Sequence, residues 1–168
     1  MKILICICTY KRNNFLNKCL LSFYRAVIPF NFEIEFLIID NTLNGNAKYI
    51  INKVKKKIRY KIYYVNEKKR GIVHARNRCL EVVKKINCDY FSFLDDDCEI
   101  DTKWFINFKK IINKHKVKIV TGPQIHKNNR EINNNLEIIF EKKINNKKTF
   151  VKWAATNNVI ISKKIILS

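Results

Sequence analysis

Apolar residues in this chain form short continuous runs, and the segments between the runs repeat apolar positions at helical spacing. The runs are rich in β-branched residues and bounded by polar ones, a pattern typical of strands buried on both faces. Five runs cover residues 2–8, 33–40, 59–65, 90–94 and 117–120, the last closed by Gly122 and Pro123. Strands that alternate with helices predict an α/β domain with a parallel sheet and right-handed crossovers.

Four helices are predicted between these strands. The first is expected to have a cap at Asn13 or Asn14 and to end before Pro29. Its apolar positions are Phe15, Leu16, Cys19, Leu20, Phe23 and Val27. The others cover about 47–57, 73–84 and 103–114, and the apolar side of the third includes Val73, Leu80 and Val83. Residues 124–149 show no regular pattern, 153–161 predict another strand, and 163–168 predict the start of a helix.

Polar residues follow the first, second and fourth predicted strands. Thr9 and Tyr10 follow the first, Asp40 ends the second, and three consecutive aspartates at 95–97 follow the fourth. In an open parallel sheet, ligands bind at the carboxyl ends of the strands, near the switch in strand order. We therefore expect a binding site at these residues.

The three aspartates admit two interpretations. Asp95 and Asp97 are two residues apart, so both carboxylates could bind one Mg²⁺ or Mn²⁺ ion that is shared with a substrate's phosphates. Alternatively, the aspartates end the strand and cap the helix that starts near Asp101 and Thr102. The residues alone leave both interpretations open.

Composition favours one globular domain. The chain has 168 residues, of which 47% are hydrophobic, enough for a sizeable core. Its net charge of +20 makes nucleic acid, an anionic membrane and phosphorylated small molecules candidate partners. Because the lysines are dispersed and no nucleic-acid-binding module is visible, no specific nucleic-acid partner is expected.

The absence of two common nucleotide-binding motifs reduces the number of candidate functions. The chain has neither G-x-G-x-x-G nor G-x-x-x-x-G-K-[ST], which argues against a Rossmann dehydrogenase or a P-loop nucleotidase. Its six cysteines form no C-x-x-C pair, so they predict reduced core thiols in a cytoplasmic protein. A signal peptide is not expected, because Thr9 to Arg12 stand where a cleavage site would be. The sequence has no apolar run of 18 or more residues, and a peripheral location at the inner face of the membrane stays open.

Five segments together resemble the motifs of family 2 glycosyltransferases, the inverting enzymes of the GT-A fold. C-T-Y-K-R-N at 8–13 is similar to their P-T-Y-N-R opening, and I-D-N at 39–41 to their second strand's end. E-x-x-R-G-I-x-x-A-R-N at 67–77 resembles E-N-x-G-x-x-x-A-R-N, and F-L-D-D-D at 93–97, with Trp104 downstream, resembles the D-x-D strand and the P-x-W-L segment. T-N-N-V-I-I-S-K at 156–163 resembles the acceptor-side strand G-x-G-N-x-x-x-R/K. The likeness follows the family's order over nearly all of the chain.

This resemblance implies a site for a nucleoside-diphosphate sugar, most readily a UDP-sugar. Thr9, Tyr10 and Asp40 match positions that hold the nucleobase and ribose, with Tyr10 offering a stacking face. Arg76 matches the arginine of A-R-N, which lies near the nucleotide. Asp95 matches the aspartate that faces the ribose, and its neighbour Asp96 is expected in the same nucleotide-binding set.

The resemblance also implies a cofactor and an acceptor. Asp97 and Asp95 match the residues that hold a divalent metal, Mn²⁺ or Mg²⁺, on the diphosphate. Trp153 and Asn158 match the acceptor side. The expected reaction is transfer of a sugar, as by a hexosyltransferase, to a saccharide or lipid-linked acceptor.

The chain departs from the family pattern in two ways. Cys8, Lys11 and Asn157 replace the usual proline, asparagine and glycine. In the family, an Asp or Glu after the acceptor-side strand deprotonates the acceptor hydroxyl, but residues 162–168 contain no carboxylate. Three earlier acidic residues come before the matching position: Glu131, Glu137 and Glu141.

Because that base is missing, the catalytic residue stays unknown. The expectation is a single GT-A-like domain over residues 1–168, shortened at its C-terminus, as a truncated copy, a fragment of a longer protein or a non-catalytic relative. The alternatives are an inactive nucleotide-sugar binding module and a basic protein that binds nucleic acid or a membrane surface.

Overall fold

The computed structural model describes residues 1–122 and 156–167. Its strands are β1 (Lys2–Thr9), β2 (Glu33–Asp40), β3 (Lys61–Asn66), β4 (Tyr90–Asp95), β5 (Ile119–Thr121) and β6 (Asn158–Ser162). Its helices are α1 (Asn13–Ser22), α2 (Lys48–Lys55), α3 (Ile72–Lys85), α4 (Trp104–His115) and the short α5 (Lys164–Leu167), with a 3₁₀ turn at Phe23–Arg25. The irregular stretch predicted at 124–149 and the predicted site residue Trp153 lie outside the described residues.

The strands form one sheet in the order β3-β2-β1-β4-β6-β5. β1 pairs in parallel with β2 on one side and with β4 on the other, and β2 pairs in parallel with β3. β6 is antiparallel to both β4 and β5. The predicted α/β domain with a mostly parallel sheet is therefore confirmed. Because the strand order reverses between β1 and β4, a crevice opens at their carboxyl ends.

Strand β1 is the centre of the core, because it is buried on both faces. Ile3, Ile5 and Ile7 face the cluster that contains α1, α2 and α4. Leu4 and Cys6 face the cluster that contains α3. Alternating side chains of a strand point to opposite faces, so two buried faces require a continuous apolar run, as the sequence shows.

The predicted first helix is too long and its cap is wrong. α1 ends at Ser22, the 3₁₀ turn follows, and Ala26 is extended at φ −72° and ψ 136°. Val27 is exposed, and its amide donates to the carbonyl of Thr102 at 2.8 Å instead of continuing the helix. Arg12 occupies the N-cap position without a side-chain hydrogen bond, and Asn13 is the first helical residue.

The predicted apolar side of α3 is also partly wrong. The buried residues of this helix are Ala75, Cys79 and Val83, which recur every four positions. Val73 is 64% exposed and Leu80 is only partly buried. Two small residues, Ala75 and Cys79, bring the helix close to the sheet and determine which face is buried, so side-chain size outweighed hydrophobicity here.

The cysteines lie where the prediction places them. All six are free thiols, and Cys6, Cys19, Cys79 and Cys88 are buried. Cys8 is partly buried, and desolvation raises the pKa of its thiol to about 12. At neutral pH this thiol stays protonated, so Cys8 behaves as a small apolar residue and is a poor nucleophile.

Candidate functional site

Arg12 links the end of β1 to the aspartate triplet. β1 ends at Thr9, and Lys11 then adopts the left-handed conformation at φ 56°. The guanidinium Nη1 of Arg12 lies 2.9 Å from Asp96 Oδ1 and 3.0 Å from Asp97 Oδ2. The hydrogen bond to Asp96, reinforced by the charges of Asp96 and Asp97, raises the pKa of Arg12 further. One cation thus balances two neighbouring carboxylates.

Asp96 is the buried member of the triplet. Its side chain is almost fully buried, and Oδ2 accepts a hydrogen bond of 2.7 Å from the Thr9 hydroxyl. Its other oxygen accepts from Arg12. Both oxygens therefore have partners within the chain, and Asp96 fixes the turn after β4 against the end of β1. The structure thus brings together Thr9 and Asp96, two residues that were predicted from separate motifs.

Asp95 and Asp97 lie on either side of Asp96. Asp95 is the last residue of β4, and its Oδ1 lies 3.5 Å from the Arg76 Nη2. Burial raises the pKa of Asp95, Arg76 lowers it, and the neighbouring charges of Asp97 and Asp96 raise it. Asp97 is exposed, and Arg12 is its basic partner. Crowded carboxylates of this kind favour a nearby cation.

The aspartates fit a divalent cation, provided that a substrate supplies the remaining ligands. Within residues 1–122 and 156–167, no group of three or more His, Cys, Asp or Glu residues gathers around a metal position. Mg²⁺ is commonly bound through one or two carboxylates and substrate phosphates, so a complete protein cage is not required. Asp95 and Asp97 provide the hard oxygen ligands that such an ion prefers.

A cleft of about 370 Å³ opens beside the triplet. It lies at the carboxyl ends of β1 and β4, where the strand order reverses. Its lining residues are Cys8, Thr9, Tyr10, Arg12, Asn41, Arg70, Gly71, Ile72, Ala75, Arg76, Asp95 and Asp96. The volume falls within the usual range for a small-molecule site. Five predicted residues, Thr9, Tyr10, Arg76, Asp95 and Asp96, therefore meet in one cavity.

Tyr10 carries two cations close to its ring. The guanidinium carbon of Arg70 lies 5.3 Å from the ring centroid, and Lys11 Nζ lies 5.5 Å from it. Such contacts are attractive because the face of an aromatic ring is electronegative. A planar ligand that stacks on Tyr10 would therefore meet Arg70 as well.

Asn41 holds the basic loop 67–71 against the end of β2. Its amide donates to the carbonyls of Glu67 and Lys69, each at 2.8 Å. Its Oδ1 accepts from the Gly71 amide at 2.8 Å. Gly71 has φ 127°, a conformation that L side chains rarely adopt, so glycine is needed there. Asn41 thus places Arg70 at the cleft.

Among the lining residues with charged or amide side chains, three were given no role in the sequence analysis: Arg12, Asn41 and Arg70. All three stand inside the segments that resemble the family motifs. Their positions were therefore available from the sequence, but their partners were not. Arg12 is 84 positions from Asp96, and Asn41 is 30 from Gly71, so only the folded chain shows these contacts.

Asp40 lies behind the cleft and is not among its lining residues. It is fully buried and accepts hydrogen bonds from the Thr42 amide and hydroxyl at 3.0 and 2.7 Å. It also accepts from the Ala47 amide at 2.7 Å and the Tyr64 hydroxyl at 3.0 Å. Burial, and then the bond to Asp40, raises the pKa of Tyr64 to about 12. A contact between Asp40 and a nucleobase would require one of these bonds to break, and it stays a prediction.

Asn158, predicted on the acceptor side, begins β6 beside the end of β4, where it pairs with Leu94. Trp104 Nε1 donates to Asn158 Oδ1 at 3.0 Å, and the Thr121 hydroxyl donates to the Asn158 carbonyl at 3.0 Å. A Cβ atom at Gly122 would lie 2.7 Å from the side-chain nitrogen of Asn158, so a larger residue there would force the Asn158 side chain to shift. Asn158 is thus held one strand away from Asp95.

Comparison with known proteins gives a family and related structures. The model of the family described as glycosyl transferase family 2 matches residues 4–166. The succinoglycan biosynthesis protein ExoM of Rhizobium meliloti (strain 1021) is 26% identical over 117 residues, which cover 70% of this chain and 37% of that protein.

Two solved structures share the fold. S. aureus TarS 1-349 is 18% identical and has a TM-score of 0.70 over 99% of this chain and 48% of its own. The mannosyltransferase PcManGT from Pyrobaculum calidifontis, in complex with GDP-Man and Mn²⁺, is 13% identical and has a TM-score of 0.75 over 98% of this chain and 45% of its own. The chain thus spans less than half the length of each of these relatives. Its fold is the GT-A fold, and with nearly all of its residues matched by the family model, the chain belongs to glycosyl transferase family 2.

Proposed function

We propose that this chain binds a nucleoside-diphosphate sugar in the cleft beside the aspartate triplet and takes part in transferring the sugar to a saccharide or lipid-linked acceptor. The single observation that carries the proposal is the composition of that cleft. An aromatic ring, three exposed or partly exposed arginines and the carboxylates of Asp95 and Asp96 line one cavity at the strand-order switch, and Asp97 is the next residue along the chain. These groups suit, in turn, a base, a diphosphate and a ribose with its metal.

Each residue contributes according to its chemistry. Tyr10 stacks on the nucleobase, and Arg70 beside it adds positive charge near the base and the diphosphate. Arg76, 3.5 Å from Asp95, orients that carboxylate for the ribose hydroxyls and neutralises part of the phosphate charge. Thr9 and Asp96 act indirectly, because their mutual hydrogen bond fixes the turn that presents Asp95 and Asp97.

The proposal includes a divalent metal held by Asp97 and Asp95. When bound, such an ion would supply the positive charge that stabilises the departing nucleoside diphosphate. The guanidinium of Arg12 lies 3.0 Å from the Asp97 carboxylate, so Arg12 would have to shift when a metal binds Asp97. The relative PcManGT was solved with GDP-Man and Mn²⁺, which supports this part of the proposal.

A UDP-sugar is the proposed donor. TarS was solved in complex with UDP-GlcNAc and with UDP, whereas PcManGT was solved with GDP-Man, so both nucleotides occur on this fold. The relative ExoM is named as a succinoglycan biosynthesis protein, which favours a saccharide acceptor.

Thermal unfolding with UDP-sugars and GDP-sugars, each with and without Mn²⁺ or Mg²⁺, tests donor and metal together. A ligand at about 100 times its dissociation constant stabilises the fold by roughly 2.7 kcal/mol. We expect this stabilisation with one nucleotide class and only when metal is present. Asp97→Asn should largely abolish this metal-dependent stabilisation, and Asp101→Asn, at a nearby exposed aspartate, is the matched control.

Two results would contradict the proposal. Stabilisation of the same size in Asp97→Asn would refute the metal ligand, and no stabilisation by any nucleotide sugar would refute the donor site. Transfer itself is measured separately, as release of the nucleoside diphosphate in the presence of saccharide and lipid-linked acceptors.

A further inference from the structure

Three apolar side chains project from the short connection between α1 and β2. Tyr24 is 73% exposed, Val27 is 51% exposed and Phe30 is fully exposed. All three lie within residues 24–30, a segment that starts inside the 3₁₀ turn and continues beyond it. Single exposed apolar residues are ordinary, but here two aromatic rings and a valine are exposed within seven consecutive residues, an apolar patch along the chain. We call these three residues, together with the basic cavity that Tyr24 lines, the Tyr24 surface.

A basic cavity of about 550 Å³ adjoins the patch. Its lining residues are Lys18, Leu21, Ser22, Tyr24, Arg25, Lys57 and Glu99. Lys18, Arg25 and Lys57 are all exposed. Glu99 is the one acid in that lining, and it lies 3.6 Å from Arg25. Arg25 balances the charge of Glu99, so Lys18 and Lys57 give the cavity a net positive charge. Tyr24 lines this cavity and also belongs to the apolar patch.

We propose that the Tyr24 surface docks on an anionic phospholipid bilayer. Aromatic side chains at the headgroup level and lysines that contact anionic lipids are the two contributions that hold proteins at a membrane interface. Both occur side by side here. The cavity is wide enough for a phosphate headgroup, and the net charge of +20 adds a long-range attraction to the same surface.

The fold also sets how the bound protein faces the membrane. Helix α1 begins next to Arg12 at the nucleotide cleft and leads, ten residues later, to the Tyr24 surface. At 1.5 Å per residue, this helix places Tyr24 and the apolar residues after it about 15 Å from Arg12 along the helix axis, with Lys18 between them. Docking through the Tyr24 surface therefore leaves the cleft open to a soluble ligand. The inference does not depend on sugar transfer, because no residue of the cleft takes part.

Sedimentation with lipid vesicles tests the proposal. We expect the protein to bind phosphatidylcholine vesicles that contain phosphatidylglycerol, and to bind pure phosphatidylcholine weakly. Each basic residue near an anionic surface contributes about a fivefold factor in affinity, so Lys18→Glu with Lys57→Glu should weaken binding roughly 25-fold or more. Phe30→Ser should weaken it about tenfold, because a buried aromatic ring is lost from the interface.

Matched controls separate the surface from the overall charge. Lys84→Glu with Lys85→Glu makes the same charge change on exposed positions of α3, which packs on the opposite face of the sheet. Val73→Ser removes an exposed apolar residue from the same helix. All these positions are exposed, so thermal unfolding should confirm that every variant folds.

The controls also define what would overturn the proposal. Equal loss of vesicle binding in the α3 charge variant would show attraction by net charge alone. Unchanged binding in Phe30→Ser, or equal binding to neutral vesicles, would show that this patch does not enter the interface. No binding to either kind of vesicle would exclude the docking surface outright.

Discussion

At the scale of single residues, Arg12 carries the most consequential contact. It neutralises Asp96 and Asp97, and only Asp97 of the two is exposed. A cation that binds Asp97 would therefore have to compete with Arg12.

Arg12→Gln should strengthen the binding of Mn²⁺ to the nucleotide-free protein, because the competing guanidinium is gone. Because the Asp96 carboxylate is almost fully buried and would keep only its hydrogen bond from Thr9, the loss of folding stability should be about 1–3 kcal/mol. Titration calorimetry with Mn²⁺ and thermal unfolding measure the two effects. Arg78→Gln, which breaks the surface pair with Glu81, is the control. Equal Mn²⁺ affinities in both variants would disprove the competition.

The backbone conformation of Lys11 gives a second prediction at the scale of single residues, independent of Arg12. Its left-handed conformation, at φ 56°, is costly for a lysine but accessible to asparagine, the residue usual at this position in the family. Lys11→Asn should therefore stabilise the fold by about 1 kcal/mol, or raise Tm by about 2–4 °C. Lys56→Asn, at a residue with φ −72°, is the control and should bring no gain. A Tm for Lys11→Asn at or below that of this control would show that Lys11 is not strained.

At the scale of elements, the loop 67–71 depends on one side chain from a different strand end. Asn41→Ala removes all three hydrogen bonds to this loop. We expect faster amide hydrogen exchange in the loop, a loss of stability of about 1–3 kcal/mol and weaker nucleotide binding, because Arg70 is no longer held beside Tyr10. Asn52→Ala, on the exposed side of α2, should change none of these. Unaltered exchange in the loop would mean that its own turn, and not Asn41, determines its position.

Element positions could be predicted well where the hydrophobic pattern was unambiguous. β2 has the predicted bounds, and β1 and β4 each extend one residue further than predicted, because their polar last residues still pair in the sheet. The end of α1 could not be predicted, since apolar Phe23 and Val27 continue the helical spacing after the backbone has left the helix. Spacing reports which side chains are apolar, whereas the end of a helix depends on where its amides find partners.

At the scale of the whole molecule, the site was predictable because topology, rather than local pattern, creates it. Parallel strands deliver their carboxyl ends to one edge, so Thr9 and Asp95 could be placed together without knowing a single contact. Asp40 shows the limit of this argument. It reaches the same edge, but four donors within the chain occupy its carboxylate, and a sequence does not show how many partners a buried acid finds.

The direction of the last strand, β6, could not be predicted from the sequence either. A buried strand has the same apolar run whether its neighbour is parallel or antiparallel, so β6 could be found as a strand but not oriented. Its antiparallel pairing with β4 places Asn158 beside Leu94 and hence next to the cleft end of the sheet. The structure thus gives the position of Asn158 in the sheet, whereas its role on the acceptor side stays a prediction.

The hydrogen bond between Thr9 and Asp96 has a consequence for how the chain folds during synthesis. Its two residues are 87 positions apart, whereas β1 meets β2 after a loop roughly a third as long. Closing the longer loop costs roughly 1 kcal/mol more in chain entropy. Strands β1 to β3 can therefore pair as they leave the ribosome, but one edge of β1 waits until β4 has been made. The cleft is completed only at that step, so binding of the proposed nucleotide ligand would report that β1 and β4 have joined.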